Sequence, residues 1–397
     1  MLSEVPEGWR LNRLSSVATY TNGKAFKPSD WSSQGLPIIR IPQLRDPSSD
    51  YNCFSGTVDD KYRVTSGDLL FSWSATLTAV MWNAYDAVLN QHIFKVEPID
   101  DINKEFLLYR LLLSIDELMK GAHGTTMQHI KKRELDTHLI SVPPLPEQKR
   151  IAEILSSVDE SIQATQSVID QAERVKRGLM EDLLTGGLGS EAIARGEVPE
   201  GWRMIPFADF CEIKAGVGFP VKFQGRTEGD FPFYKVSDMN SSGNEQFMSV
   251  ANHYVTEADL PVLKAKPYPD GAVIFPKIGA AIRTNKKRRL TKDSLIDNNV
   301  MALIANDNVV TPGYLFRIME RTNIYSFSSQ NGLPSINKST IAKAEALIPP
   351  LCEQKRIAEI LSGVDVFIQS QKQIIDQYQV TKKGLMDDLL TGKVRTV

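Results

Sequence analysis

The chain contains an internal repeat that spans almost its whole length. Residues 143–156 read PPLPEQKRIAEILS, and residues 349–362 read PPLCEQKRIAEILS, 206 positions later. The segment GLMEDLLTG at residues 178–186 returns as GLMDDLLTG at residues 384–392, with the same offset. Matches of this length in the same order indicate two copies of one structural unit.

A shorter segment marks the start of each copy. VPEGWR occurs at residues 5–10 and again at residues 198–203, an offset of 193. The blocks that follow differ strongly, and only weak echoes survive, such as PIIRI at residues 37–41 against PFYKV at residues 232–236. Short apolar runs of this kind after turn residues are typical of strands. We therefore predict two domains of one fold whose surfaces have diverged.

The repeated segments predict two long helices with a coiled-coil seam. Apolar residues recur at alternating spacings of 4 and 3, which is a heptad pattern. In the first helix the seam is Ile151, Leu155, Val158, Ile162, Thr165, Ile169 and Ala172, and in the second it is Ile357, Leu361, Val364, Ile368, Gln371, Ile375 and Tyr378. Each helix covers about 38 residues, or roughly 57 Å at 1.5 Å per residue. Two ordinary core helices are the alternative, but the unbroken length and the narrow seam favour a coiled coil.

The order of the segments predicts the architecture. Two such helices separated by a whole domain can pair antiparallel, with the variable domains at opposite ends of a rod. Joining the last residues to the first reproduces the central stretch 183–202, so we expect a cyclic, pseudo-two-fold repeat with neighbouring termini. The predicted fold class is α+β: two similar mixed α/β domains separated by two long helices that form an antiparallel coiled coil. The predicted segments are a first domain at 1–145, a spacer helix at 146–186, a linker at 187–200, a second domain at 201–350, and a second helix with a tail at 351–397.

Composition narrows the classes of function. Hydrophobic residues make up 42% and charged residues 24% of the chain, as in ordinary soluble proteins. We expect a cytoplasmic protein because no apolar run could span a bilayer, no signal peptide is apparent, and Cys53, Cys211 and Cys352 lie far apart without metal-ligand spacing. The net charge of −2 means that any DNA contact depends on local patches rather than bulk attraction.

Motifs of enzymatic chemistry are missing. The chain has no Asn/Asp-Pro-Pro-Tyr/Phe motif, for which Val142-Pro143-Pro144-Leu145 does not qualify, and no Gly-x-x-x-x-Gly-Lys-Ser/Thr phosphate loop. Gly216-Val217-Gly218 is a very weak nucleotide signal, and the histidines, including His92 and His253, show no metal spacing. This pattern favours a binding protein without a metal or a cofactor of its own, although scattered acidic residues could still form a nuclease site.

The layout resembles the specificity subunits of Type I restriction–modification enzymes. The PPLxEQKRIA helix starts and the GLMxDLLTG helix ends carry the resemblance. The variable blocks resemble target-recognition domains, through FSWS at 71–74 with LNQHIFKV at 89–96, and through FPFYKVSDMN at 231–240 with IDNNVMAL at 296–303. The resemblance covers nearly the whole chain, and Cys352 departs from it by replacing the helix-start proline.

The resemblance implies a non-catalytic DNA-recognition subunit. Each target-recognition domain would read one half of a bipartite site in double-stranded DNA, and the helices would set the spacing and bind two methyltransferase (modification) subunits. S-adenosylmethionine, ATP and Mg would belong to partner subunits, including restriction or translocase subunits that can join the complex, and no membrane is involved. Two alternatives remain open: a coiled-coil scaffold that does not bind DNA, and a stand-alone endonuclease that would cut DNA with magnesium alone.

Within this resemblance we expect Lys and Arg to hold phosphates, and Asn and Gln to read adenine edges. The charged segment at 283–289 could instead be a solvated loop that does not contact DNA. Trp73 could equally well pack in the core rather than face the DNA. The candidates for DNA contact in the first domain are Ser72, Trp73, Ser74, Thr76, Asn90, Gln91, His92, Thr125, Thr126, Gln128, Lys131 and Lys132. The candidates in the second domain are Lys235, Lys277, Arg283, Asn285, Lys286, Lys287, Arg288, Asn298, Asn299, Ser329, Gln330 and Asn331.

Overall fold

The computed structural model describes residues 5–121, 132–186, 198–329 and 332–396. The chain divides into two compact units. The first consists of Met1–Val168 and Gln371–Val397, and the second consists of Ile169–Ser370. Each unit therefore combines one variable block with part of both long helices. No helix in the described ranges is long and apolar enough to cross a membrane.

The variable block of the first unit is a mixed α/β domain. Its strands are β1 (Arg10–Arg13), β2 (Ala18–Asn22), β3 (Leu36–Ile39), β4 (Cys53–Phe54), β5 (Arg63–Val64), β6 (Asp68–Ser72), β7 (Thr78–Trp82), β8 (Ala87–Leu89), β9 (Ile93–Pro98) and β10 (Leu139–Val142). Its helices are α1 (Ile41–Arg45), α2 (Lys104–Gly121) and α3 (Lys132–Thr137), and the first long helix, α4 (Leu145–Thr185), follows. The strands pair in the orders β2-β9-β6-β7, β4-β3-β8-β5 and β1-β10.

The variable block of the second unit has the same plan. Its strands are β11 (Arg203–Pro206), β12 (Cys211–Ala215), β13 (Phe231–Tyr234), β14 (Phe247–Met248), β15 (Tyr254–Val255), β16 (Val273–Pro276), β17 (Arg288–Leu290), β18 (Leu295–Ile296), β19 (Val300–Ala305) and β20 (Glu345–Ile348). Its helices are α5 (Phe207–Phe210), α6 (Leu260–Leu263), α7 (Pro312–Arg321) and α8 (Lys338–Lys343), and the second long helix, α9 (Leu351–Leu390), follows.

Most strands of the two blocks correspond, although β14 extends one sheet of the second block and β5 extends the other sheet of the first. The second unit has the orders β12-β19-β16-β17-β14, β15-β13-β18 and β11-β20. Thus β2, β9, β6 and β7 match β12, β19, β16 and β17, and the parallel pair β3-β8 matches the parallel pair β13-β18. The short echoes in the sequence are strands of these sheets, because PIIRI contains the end of β3 and PFYKV contains the end of β13. The prediction of two similar mixed α/β domains is confirmed.

The long helices pack against each other within each unit. In the first unit, Ile151 and Leu155 of α4 share a core with Leu389 and Leu390 of α9. In the second unit, the partners are reversed, and the end of α4 joins the start of α9 in one core that includes Leu183, Leu184, Ile357 and Leu361. The start of one helix meets the end of the other, so the pairing is antiparallel, as predicted. The seam residues are buried or half-buried along both helices.

The VPEGWR segment and the start of the long helix contact each other in each unit. Trp9 Nε1 donates a hydrogen bond to Glu147 at 3.0 Å, and Trp202 Nε1 donates to Glu353 at the same distance. The tryptophan of VPEGWR therefore binds the glutamate that begins the long helix in the same unit. This contact explains why the two motifs return together although they are far apart in the chain.

The two ends of the chain meet at this same glutamate. Arg395 donates to Glu147 Oε1 at 2.7 Å and to the carbonyl oxygen of Glu7 at 3.0 Å. Burial alone would raise the pKa of Glu147, but the hydrogen bonds from Arg395 and Trp9 hold it below its ordinary value. The described ends of the chain therefore lie side by side in the first unit, as the cyclic similarity of the sequence predicts.

The glutamine after this glutamate ties each long helix to its domain. Gln354 is fully buried, its Oε1 accepts from the backbone N–H of Thr311 at 2.8 Å, and its Nε2 donates to the carbonyl oxygens of Val309 and Pro349. Gln148 makes the equivalent set of bonds in the first unit. The EQ pair that is identical in both copies of the repeat thus joins each long helix to its domain.

We expect Gln354→Ala to lower the unfolding free energy by about 1–3 kcal/mol, because it leaves buried backbone groups without hydrogen-bond partners. Urea unfolding of the full chain measures this loss. Gln369→Ala removes an exposed glutamine from the same helix and unit and is the matched control. Equal effects of the two changes would contradict the role of Gln354 as a joint.

Candidate nucleic-acid interface

The same tight turn lies between equivalent strands in both units. It follows β8 in the first unit and β18 in the second, and it leads into β9 and β19 respectively. Asn90 Oδ1 accepts from the backbone N–H of His92 at 3.4 Å, and Asp297 Oδ1 accepts from the backbone N–H of Asn299 at 3.1 Å. Each turn, which we call the reading turn (residues 90–92 and 297–299), leaves its last two residues at least partly exposed, and those of the second turn are more exposed. These are Gln91 and His92 in the first unit, and Asn298 and Asn299 in the second.

A glycine seats each reading turn. Gly23 and Gly216 are offset by 193, like the VPEGWR segments, and a Cβ atom built on either would fall within 3.0 Å of the turn's backbone oxygens. The residue after each glycine donates its N–H across the gap, Lys24 to Leu89 at 2.8 Å and Val217 to Ile296 at 3.0 Å. Only glycine allows this close backbone approach.

A tryptophan flanks the reading turn of the first unit. The Trp73 ring centroid lies 5.6 Å from that of His92 and 6.0 Å from that of Phe94. Trp73 Nε1 donates to Asn22 Oδ1 at 3.2 Å, and Thr76 Oγ1 accepts from Arg45 at 3.4 Å. Trp73 thus packs against core-lining Phe94 with one part of its ring and joins the polar surface with another.

In the second unit, two further loops flank the reading turn. Lys277 N–H donates to the carbonyl oxygen of Asn299 at 2.9 Å, and Ile336 N–H donates to the carbonyl oxygen of Lys277 at 2.8 Å. Ser329 in turn pairs with Ser335 through its backbone N–H at 3.0 Å. The structure therefore brings together Lys277, Asn299 and Ser329, which the sequence analysis singled out separately.

The carboxylate of the second reading turn is largely removed from solvent. Burial raises the pKa of Asp297 above its ordinary value, while its hydrogen bonds from Asn299 and the charge of Lys235 oppose that rise. Lys235 Nζ also donates to Gln224 Oε1 at 3.1 Å. A cation therefore lies close to the turn in this unit.

The basic segment at 283–289 divides into exposed and buried parts. The Arg283 guanidinium lies 5.5 Å from the ring centroid of Tyr325, and both border an open pocket on the surface. Lys286 binds Asn240. Lys287 points inward, where its Nζ donates to the carbonyl oxygen of Thr322 at 2.9 Å and burial lowers its pKa to about 8.

Four of the predicted contact residues are in the interior. The side chains of Ser72, Ser74, Asn90 and Lys287 belong to residues that are 0%, 5%, 8% and 8% exposed. A side chain must present its polar atoms to solvent to reach a base or a phosphate, which these four do not do in this conformation. Asn90 instead shapes the reading turn. Lys287 instead holds a backbone carbonyl.

Arg288 and Asn285 are also exposed only in part, and their side chains already make hydrogen bonds within the domain. Arg288 donates to the carbonyl oxygens of Lys287 and Met239. Asn285, at φ +52°, accepts the N–H of Ile324 through Oδ1 at 3.0 Å. The residues that are at least partly exposed, and for which DNA contact stays a prediction, are Trp73, Thr76, Gln91, His92, Lys235, Lys277, Arg283, Asn285, Lys286, Arg288, Asn298, Asn299 and Ser329. Outside the described residues lie Thr125, Thr126, Gln128, Lys131, Gln330, Asn331 and the side chain of Lys132.

Sequence reasoning missed two basic residues whose backbones lie at or next to the first reading turn. Arg40 is the counterpart of Lys235, because each directly follows a matching strand and each donates its backbone N–H to a side chain three residues later, Gln43 or Asp238. The signal was present in the PIIRI/PFYKV echo, which aligns Arg40 with Lys235. Lys24 accepts the N–H of Gln91 through its carbonyl oxygen at 3.0 Å and was overlooked because the two are distant in sequence.

Two similar domains, each carrying exposed polar and cationic side chains on turns held by the sheets, define a two-domain recognition protein. The sequence profile of the Type I restriction modification DNA specificity domain matches residues 6–174 and 199–379. The chain therefore belongs to this family. It is a DNA sequence-specificity subunit, the non-catalytic recognition component of such systems. Neither a scaffold nor a stand-alone endonuclease is supported by these comparisons.

Relatives along the whole chain and along half of it agree with this assignment. The chain is 25% identical to the Type I restriction enzyme MjaVIII specificity subunit of Methanocaldococcus jannaschii, over 98% of this chain and 94% of that one. It is 31% identical over 198 residues to the EcoBI specificity subunit of Escherichia coli, which covers 48% of this chain and 41% of that one.

Solved structures show the same fold. The S subunit of a Type I restriction–modification system from M. genitalium has a TM-score of 0.57 and 16% identity, over 96% of both chains. A chain from a structure describing complex assembly and conformational transition of the type I R-M system has a TM-score of 0.60 and 17% identity, over 99% of this chain and 100% of that one.

Proposed function

We propose that each unit reads one half of a bipartite DNA site through its reading turn. One observation carries this proposal: the same turn, seated on the same glycine between equivalent strands, bears different polar residues in the two units. The pairs are Gln91-His92 in the first and Asn298-Asn299 in the second. Two domains that recognise different short DNA sequences need the same backbone framework with different side chains at the contact position. Base edges are distinguished by the hydrogen-bond donors and acceptors that meet them.

The cations around the turns would hold phosphates and orient the domain without selecting a sequence. We assign this role to Lys24 and Arg40 in the first unit, and to Lys235 and Lys277 in the second, because the backbone of each lies on or next to a segment bonded to a reading turn or to its neighbouring strand. The Arg40 guanidinium also donates to Asn52 Oδ1 at 2.8 Å and lies over the Trp31 ring, so its remaining N–H groups would make the phosphate contact. Since the net charge of the chain is −2, these local contacts would supply the attraction to DNA.

The long helices would dock two methyltransferase subunits and set the gap between the half-sites. Supporting this, identical exposed residues recur at an offset of 206 near the two helix starts, so one partner surface can be used twice. These pairs are Lys149 and Lys355, Arg150 and Arg356, and Glu153 and Glu359. S-adenosylmethionine would be carried by those partners, and ATP and Mg by partner subunits including restriction or translocase subunits, within the cytoplasm.

Co-expression with the methyltransferase subunits of the same organism, followed by sequencing that detects methyladenine, tests this function. We expect one bipartite motif. Replacing residues 203–348 with the corresponding block of a relative should change one half of the motif and leave the other, because each unit carries its own reading turn.

The reciprocal exchange of residues 10–142 is the matched control and should change the other half. If both halves changed together in either exchange, the units would not be independent readers. Cleavage of DNA by the purified chain with magnesium alone, abolished by changing one of its own acidic residues, would instead favour an endonuclease.

A further inference from the structure

The reading turn of the second unit has a contact that the first lacks. Asp297 Oδ1 accepts the backbone N–H of Asn299, as Asn90 Oδ1 does for His92. In addition, Asp297 Oδ2 accepts a hydrogen bond from the side-chain Nδ2 of Asn299 at 3.2 Å. One buried carboxylate therefore holds both the backbone and the side-chain amide of an exposed residue.

This contact orients the amide of Asn299. Because Nδ2 is the atom that donates to Asp297, the amide nitrogen faces the carboxylate and the amide oxygen faces away from it. One N–H of Nδ2 is used in this bond, and the other remains available. Within the part of the chain that the structure describes, Asn299 Oδ1 has no hydrogen-bond partner. A donor and an acceptor are thus left side by side on an exposed amide.

The turn that carries the amide is held from several sides. Asp297 N–H donates to the carbonyl oxygen of Tyr234 at 3.0 Å, and Lys277 N–H donates to that of Asn299 at 2.9 Å. Val300 N–H closes the turn on the carbonyl oxygen of Asp297 at 3.0 Å. Since backbone and side chain are already fixed, little conformational entropy would be lost when Asn299 meets a ligand.

We propose that Asn299 reads an adenine in the half-site recognised by the second unit, and that Asp297 is the positioning residue for its amide. The adenine edge in the major groove offers the N7 acceptor and the N6 donor, which match the free N–H and Oδ1 of Asn299. Guanine offers two acceptors there, so its O6 would face Oδ1 without a proton between them. The inference rests on the proposed function of this unit as a base reader.

Methyladenine sequencing of cells that express the complex with the wild-type chain, Asn299→Ala or Asp297→Asn tests the proposal. For Asn299→Ala we expect one adenine position in one half of the motif to become degenerate, with its preference reduced about tenfold to a hundredfold. The other half of the motif should be unchanged. Asn308→Ala, an exposed asparagine of the same unit, is the control and should leave the motif intact.

Asp297→Asn separates positioning from folding of the turn. An asparagine can still accept the backbone N–H, as Asn90 does in the first unit. Its amide nitrogen would then face the amide nitrogen of Asn299, and two donors cannot bond. We expect reduced preference at the same adenine position, by less than in Asn299→Ala, since the reader itself is kept. The readout is the preference at one position rather than total methylation.

Other outcomes count against the inference. A uniform fall in methylation with an unchanged motif would make Asn299 a phosphate contact or a structural residue. An unchanged motif at full methylation in both variants would remove it from recognition altogether. If the wild-type complex methylates no bipartite motif, the proposed function itself fails, which is a different result from a wild-type motif that the variants do not alter.

Discussion

Replacing Asp365 by alanine is expected to lower the unfolding free energy of the second unit by about 3 kcal/mol, since loss of one partner leaves buried charge uncompensated. This α9 carboxylate binds Arg317 of α7 at 2.6 Å, Lys176 of α4 at 2.6 Å, and Gln246 at 2.7 Å. The Arg317 side chain is only 2% exposed. Glu320 also pairs with both cations, which keeps the expected loss at the lower end of the range for buried pairs.

The first unit contains the matching cluster with a different partner. Asp159, offset from Asp365 by 206, binds Lys382 at 2.6 Å and accepts a hydrogen bond from Tyr109 at 2.8 Å. Tyr109 is neutral and the Asp159 side chain is 33% exposed, so solvent screens this cluster more. We therefore expect Asp159→Ala to cost clearly less, about 1 kcal/mol.

Urea unfolding of the full chain measures the loss of unfolding free energy for each variant. Hydrogen exchange followed separately in α7 and in α2 shows whether that loss falls in the second or in the first structural unit. Asp376→Ala removes an exposed carboxylate of the same helix as Asp365 and serves as the control. A loss for Asp159→Ala equal to or larger than that for Asp365→Ala would show that the neutral tyrosine and the arginine are energetically equivalent.

The effect of Asp365 should depend on pH. Burial alone would raise its pKa, but the bonds from Lys176, Arg317 and Gln246 outweigh burial and hold it below the ordinary value of 3.8. A depressed folded-state pKa means that the carboxylate stabilises the unit above its unfolded-state pKa, and that this stabilisation is lost as pH falls toward the folded-state value. The difference between wild type and Asp365→Ala should therefore be constant near neutrality and shrink below about pH 4.

Gly216→Ala is expected to reduce methylation at the cognate site by about tenfold to a hundredfold, the range expected when a base-reading pair is lost. The added Cβ would collide with the backbone carbonyl oxygens of Ile296 and Asp297, which cannot rotate away as a side chain could. The reading turn of the second unit would have to move. Methylation rate on a cognate duplex, measured with the assembled complex, reports the loss.

Gly218→Ala is the matched control two residues away, because a Cβ there meets nothing within 4 Å. It should leave methylation close to the wild-type rate. Gly23→Ala makes the same collision in the first unit, with the carbonyl oxygens of Leu89 and Asn90, and should reduce methylation similarly. A wild-type methylation rate for Gly216→Ala would mean that the turn adjusts to the added Cβ atom. The close packing of the turn against this glycine would then not be required for DNA recognition.

The long helices, their antiparallel pairing and the likeness of the two domains could be predicted from the sequence alone. Helix periodicity is a local property, and the 206-residue repeat places the same pattern in both copies. The repeated segments also contain the hydrogen-bonded pairs Trp9–Glu147 and Trp202–Glu353, but only the three-dimensional structure shows that these residues are in contact. A pair of motifs that recurs together within the chain predicts a contact without identifying the atoms that form it.

The tertiary structure decided which polar residues are available to a ligand. Ser72 and Ser74 lie in a sequence that looks like a polar loop, yet the packing of strands from distant parts of the block encloses them. Lys287 belongs to a run of cations, but its side chain turns inward to Thr322, 35 positions away. Lys24 could not be identified from the sequence for the same reason, because it bonds to the reading turn although more than sixty residues separate them in the chain. Local pattern sets the type of element, whereas exposure and neighbourhood depend on long-range packing, which residue spacing does not encode.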